Sequence, residues 1–359
     1  MILFLSSVLF LSIIGILFVH SAGSYWSEVH YKDQLPFAFK QASYLVVGIL
    51  GALFIRNKSF VRLPMFWIGT YILSILFLIG VLIPGIGVVR NGSQSWISLG
   101  FMNFQPAELA KIAVLGMLSF SLGNEKKSKL KLYTQSAFVL LLPVSFIMLQ
   151  PDFGSAFVLI VAAFILLFAA GLPLKFFVSI GMTGIVALVA LIASAPYRLD
   201  RIQSFLDPWK DPLGTGFQAI QSLLAVGPAG LFGFGYGNSR QKFLYLPEPQ
   251  NDFIFSILLE ETGFIGGFIV ISTFVLFFTT GFTLATRVKT RSSQLTIIGF
   301  TSLLAIQTFL NMGVVTGLLP VTGVTLPFIS YGGSSLVTTW GIIGIILNLA
   351  NDSEKEGRR

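Results

Sequence analysis

The chain contains no cysteine, which excludes disulfides, a thiolate nucleophile and zinc–sulfur sites. Histidine is almost as scarce: His20 and His30 are the only two, both near the start. A histidine metal cluster or a Ser-His-Asp triad therefore has little to be built from. No Gly-Lys pair occurs anywhere, so there is no Walker A loop to bind a nucleotide. Charge is the third shortage. Asp, Glu, Lys and Arg make up 11% of 359 residues, where a soluble domain carries about 25%.

Apolar residues fill the gap, at 54% of the chain with a mean hydropathy of +0.84. A bilayer core about 30 Å thick needs about 20 apolar residues per helix. Spans of that kind fall near 2–20, 37–55, 64–83, 105–122, 133–150, 154–171, 173–193, 253–284, 294–316 and 333–349. The expected fold is an all-α polytopic membrane protein with about ten transmembrane helices. A signal peptide is the lesser reading of the first span, because no basic segment precedes its apolar run.

The net charge of +8 is distributed by side rather than gathered for nucleic acid. Placing both termini inside puts Arg56, Lys58, Arg62, the four lysines between 126 and 131, Lys175, Arg287, Lys289, Arg291, Lys355, Arg358 and Arg359 in the cytoplasm. Half as many cations face outward, and most of those lie in one long extracellular loop, 194–252, between the seventh and eighth spans. The domain organisation expected is a single membrane domain over 1–359 carrying that loop.

The loop and the residues just past it hold the chemistry-bearing groups. Gly227 to Gly267 reads GPAGLFGFGYGNSRQKFLYLPEPQNDFIFSILLEETGFIGG. Asp252 stands at the mouth of a span, where a carboxylate facing loop cations is a candidate for chemistry on an anionic substrate. As a helix N-cap it would be an ordinary structural aspartate. The helix terminus would lower its pKa and burial would raise it, and spacing alone leaves the two roles open. Arg198 and Arg201 share a helical face and suit a bidentate grip on pyrophosphate, or simple anchoring at the interface. Arg240 and Lys242 are further cations for the same anion. Gln218, Gln221 and Ser222 share a face that offers hydrogen bonds to a sugar or phosphate. Gly233, Gly235 and Gly237 resemble a phosphate cradle, but no strand precedes them, and a flexible turn is the reading adopted. Glu260 and Glu261 read as structural, as do Asp152, a cap for the sixth span, and Glu108 with Lys111, an intramembrane pair at i and i+3.

Taken together, FQPAELAKIA (104–113), QPDFGSA (150–156), FLDPWKDPLGTGFQAIQSLLAVG (205–227), the 227–267 stretch and NMGVVTGLLPVTGVTLPFISYGGSS (311–335) resemble the SEDS family of shape, elongation, division and sporulation proteins. The wording is closer to the FtsW and SpoVE branch than to RodA. Two departures stand out: Gln250-Asn251 precede the aspartate where the family often has histidine or threonine, and Asn91-Gly-Ser-Gln-Ser-Trp96 replaces an arginine-bearing run. The resemblance implies a peptidoglycan glycosyltransferase in the bacterial cytoplasmic membrane. It would polymerise lipid II on the outer face, with Asp252 as general base and undecaprenyl pyrophosphate as leaving group. It also implies a class B penicillin-binding protein, a transpeptidase, as partner, and no nucleic acid. The resemblance fixes no cofactor, and a divalent cation, Mg or Mn, is the one candidate, to help hold the pyrophosphate. A lipid II flippase, or a scaffold for the transpeptidase, is the alternative, favoured by polar groups within spans and by Gly/Pro-broken segments near 84–106 and 317–334.

Overall fold

The computed structural model describes residues 1–31, 36–90, 92–100, 102–123, 129–173, 175, 177–178, 205–243 and 245–356. Within them lie α1 (Ile2–Tyr31), α2 (Pro36–Arg56), α3 (Pro64–Gly80), α4 (Pro106–Leu122), α5 (Lys129–Leu149), α6 (Phe153–Ala169), α7 (Phe217–Val226), α8 (Ile254–Arg287), α9 (Arg291–Val315) and α10 (Gly333–Glu356). Every expected span with described residues is helical, and six of these helices are long and apolar enough to cross a membrane. The seventh span, 173–193, lies almost wholly outside the described residues, as do Arg198 and Arg201. α1 runs unbroken past Ser21-Ala22-Gly23 and packs on α8, with Phe4 stacked on Phe277 at 5.1 Å.

The centre of the bundle is α4. Nearly every one of its residues is buried, with α3, α5, α6 and α9 packed around it. A helix so enclosed meets protein rather than lipid, which is why it can carry Glu108 and Lys111. Their side chains pair at 2.8 Å, as the i and i+3 spacing predicts. Asp152 also does what its position implied: it caps α6 by accepting from the Ser155 amide at 3.0 Å. Its other oxygen accepts from Gln105 Nε2 at 2.9 Å, which ties the start of α4 to the start of α6.

Two ends of the bundle differ in chemistry. At one, Arg62 donates to the Asn348 side chain and carbonyl near the end of α10, and Arg291 donates to the Ala169 carbonyl at the end of α6. Cations gathered at one end define the cytoplasmic face. At the other end the segment 84–106 folds into a small antiparallel sheet: β1 (Gly87–Arg90), β2 (Ser93–Ser98) and β3 (Asn103–Phe104), in that order. These strands are not expected from the sequence. β2 is held down by Ser93 Oγ donating to the Gln150 carbonyl at 2.5 Å.

The same end carries the main distortion of the fold. α8 breaks at Gly263, whose φ of 65° and ψ of −162° lie outside the helical region. The break frees carbonyls that the loop then fills. Phe234 and Gly235 amides donate to the Glu260 and Glu261 carbonyls at 3.0 and 2.9 Å. In return, Phe264 and Ile265 donate to Gly230 and Leu231 at 2.9 and 3.1 Å. Unmade backbone bonds at membrane depth cost several kcal/mol each, so this exchange is what makes the break tolerable. A Cβ at Gly263 would collide with the Gly233 amide and the Leu231 carbonyl carbon. Gly263→Ala is therefore expected to prevent the loop from seating. Limited proteolysis in detergent should cut the variant within 227–243 at protease levels that spare the wild type.

Candidate active site

The glycine run is neither a phosphate cradle nor a flexible turn. The Gly233 amide donates to Ala229 and the Gly235 amide to Glu261, so neither points at a ligand. Both residues hold positive φ, 71° and 92°, which explains glycine at each. Their loop is pinned by the two carboxylates read as structural. Glu260 accepts from Ser239 Oγ at 2.5 Å and from the Arg240 and Gln241 amides at 2.9 and 3.4 Å. Glu261 accepts from Ser21 Oγ of α1 at 2.5 Å and from the Ser239 amide at 3.2 Å.

Two expected substrate ligands are corrected by this arrangement. Lys242 is buried, with Nζ donating to the Gly237 carbonyl and standing 3.7 Å from Glu261 Oε1. A cation committed to a buried carboxylate is a strut of the loop, not a clamp for pyrophosphate. Ser222 is fully buried; its hydroxyl donates to the Val315 carbonyl at 2.8 Å and meets Ser256 Oγ at 2.7 Å. It staples α7 to α8 and α9, and its hydroxyl is spent. Gln218 and Gln221 stay half-buried on α7. Arg240 remains exposed, with its guanidinium over the Phe234 ring at 4.4 Å. Its backbone is fixed by Glu260 while its charge faces outward.

Asp252 is the decisive position. The N-cap of α8 is Phe253, which makes no side-chain cap, and among the described residues no side-chain bond from Asp252 to the start of that helix is formed. The structural role that sequence alone left open is therefore absent. What is gripped is the backbone around Asp252: its carbonyl accepts from Asn311 Nδ2 of α9 at 2.6 Å, and the Gln250 carbonyl accepts from the Tyr331 amide at 2.8 Å. The residue is half-buried, and the atoms around it shut most solvent away from its carboxyl. Burial pushes its carboxyl up to about 6; its own amide opposes the rise and Glu248 adds to it. Such a group is ionised at neutral pH yet basic enough to accept a proton. Asn311 and Tyr331 were not singled out in the sequence. The signal for Asn311 was a carboxamide inside an apolar span, a costly placement unless it is bonded.

A pH dependence follows. Only the ionised carboxylate accepts a proton, so turnover is expected to fall as pH drops through about 6. An ordinary aspartate would place that limb near 3.9. A rate profile between pH 4.5 and 8 distinguishes them, and a flat profile down to pH 5 contradicts the raised value.

The fold and site define a multi-pass membrane protein with one uncapped, half-buried aspartate held at the non-cytoplasmic end of its bundle. The chain belongs to the cell cycle protein family of FtsW, RodA and SpoVE, which matches residues 1–355. Stage V sporulation protein E of Bacillus subtilis is 43% identical over 350 residues, covering 96% of this chain and 95% of that one. A Geobacter sp. (strain M18) protein named "Probable peptidoglycan glycosyltransferase FtsW" is 37% identical, covering 95% and 94%. Among solved structures, a chain from a peptidoglycan synthase complex that coordinates polymerization and crosslinking superposes with a TM-score of 0.80 at 32% identity, covering 97% of each chain. Thermus thermophilus RodA superposes at 0.73 with 29% identity, covering 97% and 96%.

Proposed function

We propose that this protein is a peptidoglycan glycosyltransferase that polymerises lipid II on the outer face of the cytoplasmic membrane. The observation that carries the reading is Asp252: an aspartate with no capping duty, half-buried, whose backbone is fixed from two sides. Asp252 takes the proton from the acceptor sugar's 4-hydroxyl. That oxygen bonds to the donor's anomeric carbon as the bond from that carbon to the phosphate oxygen breaks. Undecaprenyl pyrophosphate departs with the electron pair, and cleavage of the donor's glycosyl–pyrophosphate bond supplies the driving force without a nucleotide. Family membership and the names of the relatives support the same reaction. The proposed partner is a class B penicillin-binding protein; the solved synthase complex supports pairing with a crosslinking enzyme.

Arg240, together with Arg198 and Arg201, is proposed to meet the pyrophosphate. Mg or Mn is proposed only as a companion of that pyrophosphate. Among the described residues no three Asp, Glu or His side chains converge to hold a metal, and no step is routed through one. Arg240→Lys keeps the charge but cannot make the planar, two-point grip of a guanidinium. A hydrogen bond to a charged group is worth about 1.5–3 kcal/mol, so turnover should fall by about tenfold or more. Unchanged turnover would make Arg240 an anchor of the loop.

The transport alternative leaned on Glu108, Lys111 and the two broken segments. That pair closes on itself, and residues 322–332 pack against the helices, with Ser330 bonded to Gln41 and Leu326. A lipid II analogue lacking the acceptor 4-hydroxyl separates the readings. A polymerase makes no strand from the analogue alone, whereas a flippase moves it as readily as lipid II.

A further inference from the structure

We propose that Asn311 is the positioning residue of the site: its side-chain amide holds the Asp252 turn against α9 and so fixes where the carboxylate stands. The inference rests on the catalytic reading of Asp252. Asn311 is 1% exposed, and Nδ2 donates to two main-chain carbonyls, Asp252 at 2.6 Å and Val324 at 2.8 Å. These carbonyls belong to segments 59 and 13 residues away in the chain, and neither segment is helical there. A primary amide has two N–H bonds and can satisfy both; a hydroxyl has one, and an apolar side chain none. The orientation is fixed as well, because a flipped amide would face its oxygen to both carbonyls.

Two features tie this grip to chemistry rather than to packing. First, it falls on the backbone of Asp252 itself, in a turn whose side chain caps nothing. The carboxylate is thus placed without being consumed. Second, Asn311 Oδ1 is buried and accepts no hydrogen bond among the described residues. The oxygen therefore does not compete in setting the side chain's orientation, which the two carbonyls bound by Nδ2 fix. Displacing a reacting group by about 1 Å can cost about 10²-fold in rate.

The test is lipid II turnover by the purified full-length protein carrying Asn311→Leu, which keeps the volume and removes both donors, or Asn311→Asp, which keeps the volume and at most one O–H donor. Each is made in wild-type and Asp252→Asn backgrounds. The expected result is a kcat lower by about 10²-fold with KM for lipid II within about twofold. In the Asp252→Asn background the further loss should stay under about threefold, because the residue acts through Asp252. Full additivity, or a KM that rises as kcat falls, overturns the proposal. Near-normal turnover by Asp252→Asn alone removes the base reading, and this proposal with it. Should turnover be too low to measure, hydrogen exchange decides: 248–253 must exchange faster while α9 stays protected, and uniform loosening of α9 counts against it.

Discussion

Asp252→Asn is expected to lower lipid II turnover by about 10²–10⁴-fold, the usual cost of losing a general base. The substitution keeps the shape of the side chain and removes only its basicity. Had Asp252 been the cap of α8, the loss would be about 1 kcal/mol of stability, with turnover little changed. The structure removes that alternative, since α8 starts at Ile254 behind an uncapped Phe253. Asn311 and Tyr331 grip the main chain and not the carboxylate, so the variant should fold normally. The thermal midpoint in detergent is expected within a few degrees of wild type. A loss of turnover accompanied by a collapsed midpoint would assign Asp252 to structure instead.

The second large effect concerns Glu108 and Lys111. The pair is buried at 2.8 Å within α4, where water does not screen a leftover charge. Removing one partner of a buried pair costs about 3–5 kcal/mol, a large part of the 5–15 kcal/mol that separates most folded states from unfolding. Removing both leaves no charge to be stranded. Each single alanine should therefore lower the unfolding midpoint by more than half as much as the double alanine does. Additive losses in the double-mutant cycle would show that the two act separately.

What sequence alone could read was whatever depended on local pattern. Apolar run length located the helices, and the bias of Lys and Arg located the cytoplasmic end that Arg62 and Arg291 now mark. The roles of Asp152 and of Glu260 with Glu261 followed from their places at a helix start and inside an apolar helix. What stayed hidden depended on partners far away in the chain. Lys242 looked like a free loop cation until Glu261 claimed it, and Ser222 looked available until Val315 and Ser256 were beside it. The break at Gly263 was invisible because glycine is common in membrane helices and the apolar run continues through it. The three short strands carried a bulge between Val88 and Val89 that blurred their alternation. Asp252 itself was ambiguous for the same reason: the groups that settle its geometry, Asn311 and Tyr331, sit on other segments.

The most direct test of the account is the product made by the purified protein from lipid II in detergent. The wild type, with the proposed transpeptidase partner present, is expected to yield glycan strands and to release one undecaprenyl pyrophosphate per bond formed, while Asp252→Asn yields about 10²–10⁴-fold less in the same time. Lipid II left unpolymerised by the wild type, or strands made equally by both proteins, would contradict it.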